Sequence, residues 1–346
     1  MSSPFKAPIT LHDVAREAGV SLATASRSLN GSTRKVKDEF RDRVLAAALK
    51  LNYTPNLSAQ AVARGATTSV ALLVADISDP YFSSIAAGVI ERSEDAGLIV
   101  TMSVTKRDPD KELALVRALR GQRPRIIVLA GSRIATEQSQ SSLVAELEAF
   151  ESTGGRVVFV SRNDMPFDTV RINNYGGAHA LATELVGLGY RNFAAITGQR
   201  ELLTAADRLR GFTDGLAEQG IDLPAERIVT AEFTRDGGFA GATELIERGL
   251  GDVDLIFGVN DVMAIGAMSG LRAAGIEPGT GMAVAGFDDI QTVRDVTPAL
   301  TTVRIPLVDV GISALELALG ERAVGADRGV DVDTEVVLRA STPPRH

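Results

Sequence analysis

The chain has 346 residues, room for a small module beside a large domain, and no cysteine, which excludes disulfides, thiolate catalysis and cysteine-ligated zinc and suits a reducing cytoplasm. No apolar run approaches the roughly 18 residues of a membrane span, and the opening MSSPFKAPIT has no apolar signal core, so neither membrane insertion nor secretion is expected. The net charge of −8 conceals a division: residues 1–65 hold ten Lys and Arg against five Asp and Glu, a net of +5, and the remainder holds 26 against 39, a net of −13. Local charge governs attraction to phosphate, so a basic module attached to an acidic body stays competent to meet nucleic acid.

In chain order, Thr10 to Gly31 (TLHDVAREAGVSLATASRSLNG) reads as two short helices about a tight turn. Thr10 and Asp13 have capping-box spacing, and Val14, Ala15 and Ala18 form an apolar stripe. Gly19-Val20-Ser21 makes the turn, glycine tolerating positive φ and Ser21 capping the next helix. That second helix, Leu22 to Leu29, buries Ala25 and Leu29, with Asn30-Gly31 as its stop. Its other faces carry Leu22, Ala23, Thr24, Ser26 and Arg27, small and polar groups beside one arginine, which suits a helix lying in a DNA major groove. An ordinary helical hairpin has the same spacing. A third helix from about Lys37 to Leu51 places Phe40, Val44, Leu45, Ala48 and Leu49 to close a three-helix core.

Beyond Thr67, short apolar runs alternate with amphipathic helices. Strands are predicted at Val70–Ala75, Ile99–Val104, Ile126–Ala130, Val157–Val160, Phe193–Thr197, Ile228–Thr230, Leu255–Val259 and Ala283–Phe287, and helices at Tyr81–Ala96, Tyr175–Leu188 and Asp261–Ala274 among others. Such alternation implies parallel sheets covered on both faces, and the number of units favours two subdomains. Arg208, Asn260 and Asp288 fall at or just after strand ends, where two-lobed α/β proteins hold ligands. An arginine, an amide and a carboxylate suit the adjacent hydroxyls of a sugar, since each can make paired in-plane hydrogen bonds. The bland readings are that Asp288 and Asn260 are helix caps. Tyr81 and Phe82, opening the first helix of this region, are placed on the facing wall, with Thr204 as an additional candidate. The three histidines, His12, His179 and His346, are scattered and no phosphate-binding glycine motif follows a strand, so no enzyme, cofactor or metal is expected.

The pieces LHDVAREAGVS, TASRSLNG, LNYTPN, DPYF, ATELVGLGY, RLRGF, VND, AIGAM, GFDD and TPALTTV occur in an order, nearly end to end, that resembles the lactose-repressor (LacI/GalR) family of bacterial transcription regulators. The resemblance implies a helix-turn-helix DNA-binding domain over 1–65, ending in a hinge helix at about 56–64, and a two-lobed effector-binding domain like the periplasmic sugar-binding proteins. Its N-lobe would comprise 66–172 and 304–325 and its C-lobe 173–303 and 326–346, with crossings near Asn173, Thr302–Ile305 and Gly325. It also implies that Leu22, Ala23 and Arg27 read bases; Ser21, Thr24, Ser26 and Asn30 suit phosphates. In the hinge helix, Asn56, Ala59 and Val62 would pack at the minor groove, Val62 standing where the family usually has a wedging leucine. The family's effector positions map onto Arg208, Asn260 and Asp288, and its aromatic floor onto Phe233, which as a lone residue could equally be core. Ser161 and Asn173 replace aspartates common in the family, and Leu202 replaces an arginine of its purine-responsive branch, which favours a sugar or sugar-derived effector. The expected partners are therefore pseudo-palindromic double-stranded operator DNA, a sugar-like effector and a second copy of the chain. A dimer rather than a tetramer is expected, since no heptad tail follows STPPRH; its interface would come from the helix after Tyr81 and from Gln291 to Thr302. The alternative, a solute-binding protein of a sugar transporter, accounts for residues 66–346 but not for the basic helical module.

Overall fold

The computed structural model describes residues 9–30, 36–54, 67–131, 137–160, 162, 165–323 and 328–345. The chain divides into two compact units, Met1–Thr67 and Thr68–His346.

In the first unit, α1 (Leu11–Ala18), α2 (Leu22–Asn30) and α3 (Asp38–Lys50) enclose a core of Val14, Ala15, Ala18, Ala25, Val44, Ala47 and Ala48. The Asp13 carboxylate accepts the Thr10 N–H at 3.0 Å and the Thr10 hydroxyl at 2.7 Å, satisfying a donor that the helix start would otherwise orphan. α1 stops at Gly19, whose φ of 64° is left-handed. Ser21 Oγ then accepts the Thr24 N–H at 3.1 Å and caps α2. Arg43 ties α3 to this turn by donating to the Ala18 carbonyl. Three residues expected in the core lie outside it: Phe40 is only half-buried, and Leu45 is 41% and Leu49 83% exposed. The buried face of α3 runs through residues 44, 47 and 48, at i, i+3 and i+4, and Leu45 and Leu49 each sit one position off it. Small residues on that face let three short helices approach closely. The expected hinge helix, with Asn56, Ala59 and Val62, lies outside the described residues, as does Ser161.

The second unit is doubly wound α/β. Its first lobe holds β1 (Ser69–Val74), α4 (Pro80–Asp95), β2 (Ile99–Val104), α5 (Pro109–Gln122), β3 (Ile126–Ala130), α6 (Glu137–Glu151), β4 (Arg156–Val160) and β5 (Asp168–Ile172). The next lobe holds α7 (Asn174–Gly187), β6 (Phe193–Thr197), α8 (Leu203–Glu218), β7 (Ile228–Thr230), α9 (Arg235–Arg248), β8 (Leu255–Gly258), α10 (Asp261–Ala273) and β9 (Ala283–Ala285). The chain continues through β10 (Thr302–Arg304), α11 (Leu307–Leu319), β11 (Gly329–Val332) and β12 (Glu335–Val337). The N-lobe sheet has the order β11-β5-β4-β3-β1-β2 and the C-lobe sheet β7-β6-β8-β9, all parallel, while β10 and β12 form an antiparallel pair. Central strands such as IIVLA and FAAIT are buried throughout, because helices cover both faces; β2, at the sheet edge, leaves Ile99 and Met102 exposed. A Cβ at Gly88 would meet the Val308 carbonyl at 2.0 Å and one at Gly311 that of Ile85 at 2.1 Å, so α4 and α11 cross backbone to backbone only because both positions are glycine. Among the described residues no helix is long and apolar enough to cross a membrane.

β5 ends at Ile172 and β10 at Arg304, and the chain leaves each for the next element; a third passage between lobes was expected near Gly325. β11 pairs with β5 inside the N-lobe sheet, so the return to the C-lobe comes after Val332, beyond Gly325. β5, β10, β11 and β12 were not expected as strands. All four are short and contain charged residues, and they lie at or next to a sheet edge or in the interlobe connection, where periodicity gives little signal.

Candidate functional site

In the first unit, α2 turns Leu22, Ala23 and Arg27 outward, and all three are exposed. Ala23 and Arg27 share a face at i and i+4. Ser21 and Thr24 face each other, their hydroxyls 2.8 Å apart, with Ser21 exposed and Thr24 half-buried. Ser26 is half-buried, and Asn30 is the last helical residue, its side chain outside the described set. Ala25 on the opposite face is fully buried, which fixes the rotation of the helix and so the outward strip.

In the second unit, β1 lies between β2 and β3, and β6 between β7 and β8. Connections leave such a strand pair toward opposite faces of the sheet, which opens a crevice at the strands' carboxyl ends. Both crevices contribute to one narrow cleft, lined by Asp79, Tyr81, Phe82, Arg107, Thr204, Arg208, Phe233 and Asp288. From the N-lobe, Asp79 caps α4 by accepting the Tyr81 N–H at 3.0 Å, which sets Tyr81 and Phe82 edge to face on the wall, 5.0 Å between centroids. Arg107 comes from the loop after β2, and its guanidinium stands 5.3 Å over the Phe233 ring.

Arg208 is the anchor of the C-lobe side. It projects from α8, 1% exposed, and donates from Nε to Asn174 Oδ1 at 2.8 Å, from Nη1 to the Val259 carbonyl at 2.9 Å and from Nη2 to Asp288 Oδ1 at 2.7 Å. Its plane lies 4.0 Å over Phe287. A guanidinium has five N–H donors, so among the described residues these three bonds leave two donors uncommitted. Asp288 has a φ of 128°, a region that side chains other than glycine rarely enter and that costs about 1–3 kcal/mol. The arginine that reaches Asp288 and the Asp288 N–H, which donates to the Val303 carbonyl at 2.8 Å, hold it there. Burial pushes its carboxyl well above the ordinary carboxylate range, against the pull of Arg208, with Asp261 and Asp79 adding repulsion. Burial also raises Asp79, against the Tyr81 N–H bond.

All but one of the expected cleft residues thus line the same cavity. The exception is Asn260, which acts as the helix cap considered from the sequence: its Oδ1 accepts the Met263 N–H at 2.9 Å. Its buried Nδ2 has no hydrogen-bond partner among the described residues. Asp288 is not a cap; among the described residues its carboxylate accepts from Arg208 and from no backbone N–H. Phe233 is half-buried in the cleft wall rather than in the core. The sequence reading missed Asp79 and Arg107. Asp79-Pro80 carries a capping signal; nothing in the TKRDPD stretch distinguishes Arg107 from a surface arginine.

Behind the cleft, Asp261 is fully buried and accepts the Thr302 hydroxyl at 2.5 Å and the Ile290 N–H at 2.9 Å. Burial pushes its carboxyl up to about 7, those two bonds opposing the rise. A group raised above its unfolded value contributes stability that is complete below about pH 4 and lost as pH climbs through about 7. Asp261→Asn mimics the protonated acid, its oxygen taking the Ile290 N–H and its NH₂ facing the Thr302 oxygen. The fall in thermal unfolding midpoint between pH 5 and pH 8 is therefore expected to be smaller in this variant than in the wild type; parallel curves would show Asp261 ionised throughout.

With this geometry in view, the chain's relatives are informative. Residues 67–327 match the family described as periplasmic binding proteins and sugar-binding domain of the LacI family, and residues 10–56 match bacterial regulatory proteins of the lacI family. The chain is 30% identical to the HTH-type transcriptional regulator DegA of Bacillus subtilis (strain 168) over 341 residues, covering 97% of this chain and 98% of that protein. It is 32% identical to the regulator GalR of Escherichia coli (strain K12), over 90% of this chain and 88% of that one. The lac repressor dimer bound to operator and the anti-inducer ONPF superposes with a TM-score of 0.81 at 25% identity, covering 97% of this chain and 99% of the repressor. The match over 10–56 sets aside the solute-binding alternative, which had no role for that module. The chain belongs to the LacI family of bacterial transcription regulators.

Proposed function

We propose that the chain is a homodimeric repressor acting in the cytoplasm, whose affinity for a pseudo-palindromic operator is set by a sugar or sugar derivative held between its two lobes. The observation that carries this reading is the pairing, in one chain, of a helix with an outward Arg27 and an interlobe cleft walled by aromatic rings around a buried arginine–aspartate pair. Arg27 forks onto a guanine edge; Leu22 and Ala23 meet apolar groups such as a thymine methyl. Ser21, Thr24, Ser26 and Asn30 face phosphates, which set register. Asn56, Ala59 and Val62 belong to a hinge helix whose valine enters the minor groove.

In the cleft, the free donors of Arg208, the second oxygen of Asp288 and Thr204 bind ligand hydroxyls, while Tyr81, Phe82 and Phe233 pack on the apolar faces of the ring. Because the lobes are joined by three chain segments, a ligand that grips both shifts their relative orientation, and the shift biases operator affinity. Ile90 on α4 and Val308 on α11, each 40% exposed, supply apolar surface for the dimer.

Electrophoretic mobility shift on the DNA upstream of the chain's own gene, with and without a panel of sugars, tests the reading. A retarded band that one panel member weakens or strengthens is the expected result; binding that does not distinguish this DNA from random duplex would refute it.

A further inference from the structure

Arg107 is the unused charge of the cleft. It makes no hydrogen bond or ion pair among the described residues, and its buried Nε has no partner. Arg208, a few side chains away, commits three donors to the protein. The loop that carries Arg107 is held in an uncommon conformation: Lys106 and Arg107 are both left-handed, with φ of 59° and 58°. The Thr105 and Lys106 N–H groups donate to the Val74 and Ala75 carbonyls, each at 2.9 Å, and pin this loop to the end of β1. Consecutive non-glycine residues in that region persist only where the surroundings over-determine them, and they concentrate at ligand clamps. The head of Arg107 is thereby presented to the cleft, against the Phe233 ring, and also to an adjoining cavity of about 610 Å³ that Lys106, Gln199 and Thr234 help to line.

The charges around it do not cancel it. Asp79 and Asp76 lie within electrostatic reach but form no ion pair with it among the described residues; Glu232 helps to line the outer cavity, and Asp108 and Glu112 line a third recess beside Arg107. Burial raises the carboxyls of Asp79 and Asp288 in the cleft, Asp288 being already paired with Arg208, and burial likewise holds the Arg107 guanidinium below its ordinary value. A partly buried guanidinium with no anion is unfavourable, and a ligand that brings one relieves it.

We propose that the effector of this chain is an anionic polyol, a carboxylate or phosphate on a sugar-like body, and that Arg107 binds its acidic group at the mouth of the cleft. The proposal rests on the cleft being the effector site, and it deepens that reading by naming the ligand's charge.

The test is titration calorimetry of the full chain at pH 7 with matched sets: glucose, glucuronate, gluconate and glucose 6-phosphate, and the galactose counterparts. At least one acid is expected to bind tenfold or more tighter than its neutral parent, and the more favoured arm, carboxylate or phosphate, identifies the source of the charge. Arg107→Gln is expected to bring acid and parent to within about twofold, and Arg107→Lys to restore part of the difference. Because Arg107 makes no hydrogen bond or ion pair among the described residues and only its stacking on Phe233 is lost, Arg107→Gln should melt close to the wild-type temperature; a structural role would lower it clearly. Neutral sugars binding as well as the acids, failure of every acid to bind, or a preference that survives in Arg107→Gln would each overturn the proposal. The two readings separate cleanly: a neutral sugar that binds and shifts operator affinity sinks the anionic effector and leaves the sugar-controlled repressor standing. An acid that binds through Arg107 without altering operator affinity shows the anion site but overturns the effector reading, and with it the proposal that this anion is the effector.

Discussion

Arg208→Ala is expected to destabilise the effector-binding unit by about 3–5 kcal/mol, the usual cost of breaking a buried ion pair from one side. The side chains of Arg208 and Asp288 are 2% and 5% exposed, so solvent does not screen the charge left behind. The change also strips Asn174 Oδ1 and the Val259 carbonyl of donors and leaves the face of Phe287 uncovered. Its pH dependence identifies the cause. Without the arginine, burial drives the Asp288 carboxyl still higher, so the orphaned aspartate is tolerated when protonated and penalised when charged. The penalty should therefore shrink as pH falls from 8 to 5. Urea unfolding at several pH values measures it, and the double variant Arg208→Met with Asp288→Leu should cost less than Arg208→Ala alone, because no unpaired charge remains. A single-variant cost below about 1 kcal/mol would show the pair to be solvated, contrary to the burial. Loss of effector response accompanies the destabilisation, so a binding role is read from a conservative variant. Asp288→Asn keeps the volume and one acceptor, and it should weaken ligand binding with a smaller loss of stability.

Arg27→Ala is expected to weaken binding to the specific operator by about ten- to a hundredfold while changing affinity for random duplex little. The motive is geometric: Arg27 is the one long donor on the exposed face of α2, beside Leu22 and Ala23, which offer no hydrogen bond. A residue that reads a base edge discriminates between sequences, whereas a phosphate contact weakens all of them alike. Competition binding with operator and random DNA at two salt concentrations separates the cases. Equal losses on both DNAs, with a shallower salt dependence, would make Arg27 a phosphate contact.

Local chemistry in the chain was enough for the first unit's outline. A capping pair at Thr10 and Asp13, a glycine that accepts positive φ at 19 and a serine cap at 21 are short-range devices, and each acts in the structure as its residue type dictates. The alternation of fully apolar strands with helices likewise declared the doubly wound class, because a parallel sheet covered on both faces needs such runs. The face of α3 was less legible. Leu45 and Leu49 look like core by composition, yet helix rotation is set by where α1 and α2 sit, and that is a tertiary decision in favour of Val44, Ala47 and Ala48.

In the second unit the sequence alone pointed to strand ends and to the residue types a polyol needs, so Arg208, Asp288 and Thr204 were within reach of a reading by periodicity. Three things were decided only by the fold. β11 joins the N-lobe sheet because its edge is open beside β5, a pairing between residues far apart in sequence that no local pattern encodes. Asn260 is turned by its own helix start into a cap, since the nearest unsatisfied donor outcompetes a distant ligand for its oxygen. Arg107, one arginine among many, becomes distinctive only when packing buries its Nε and supplies no carboxylate to meet it. Hydrogen-bond satisfaction of a long side chain depends on what the rest of the chain brings within 3 Å, and the amino-acid order near Arg107 says nothing about that.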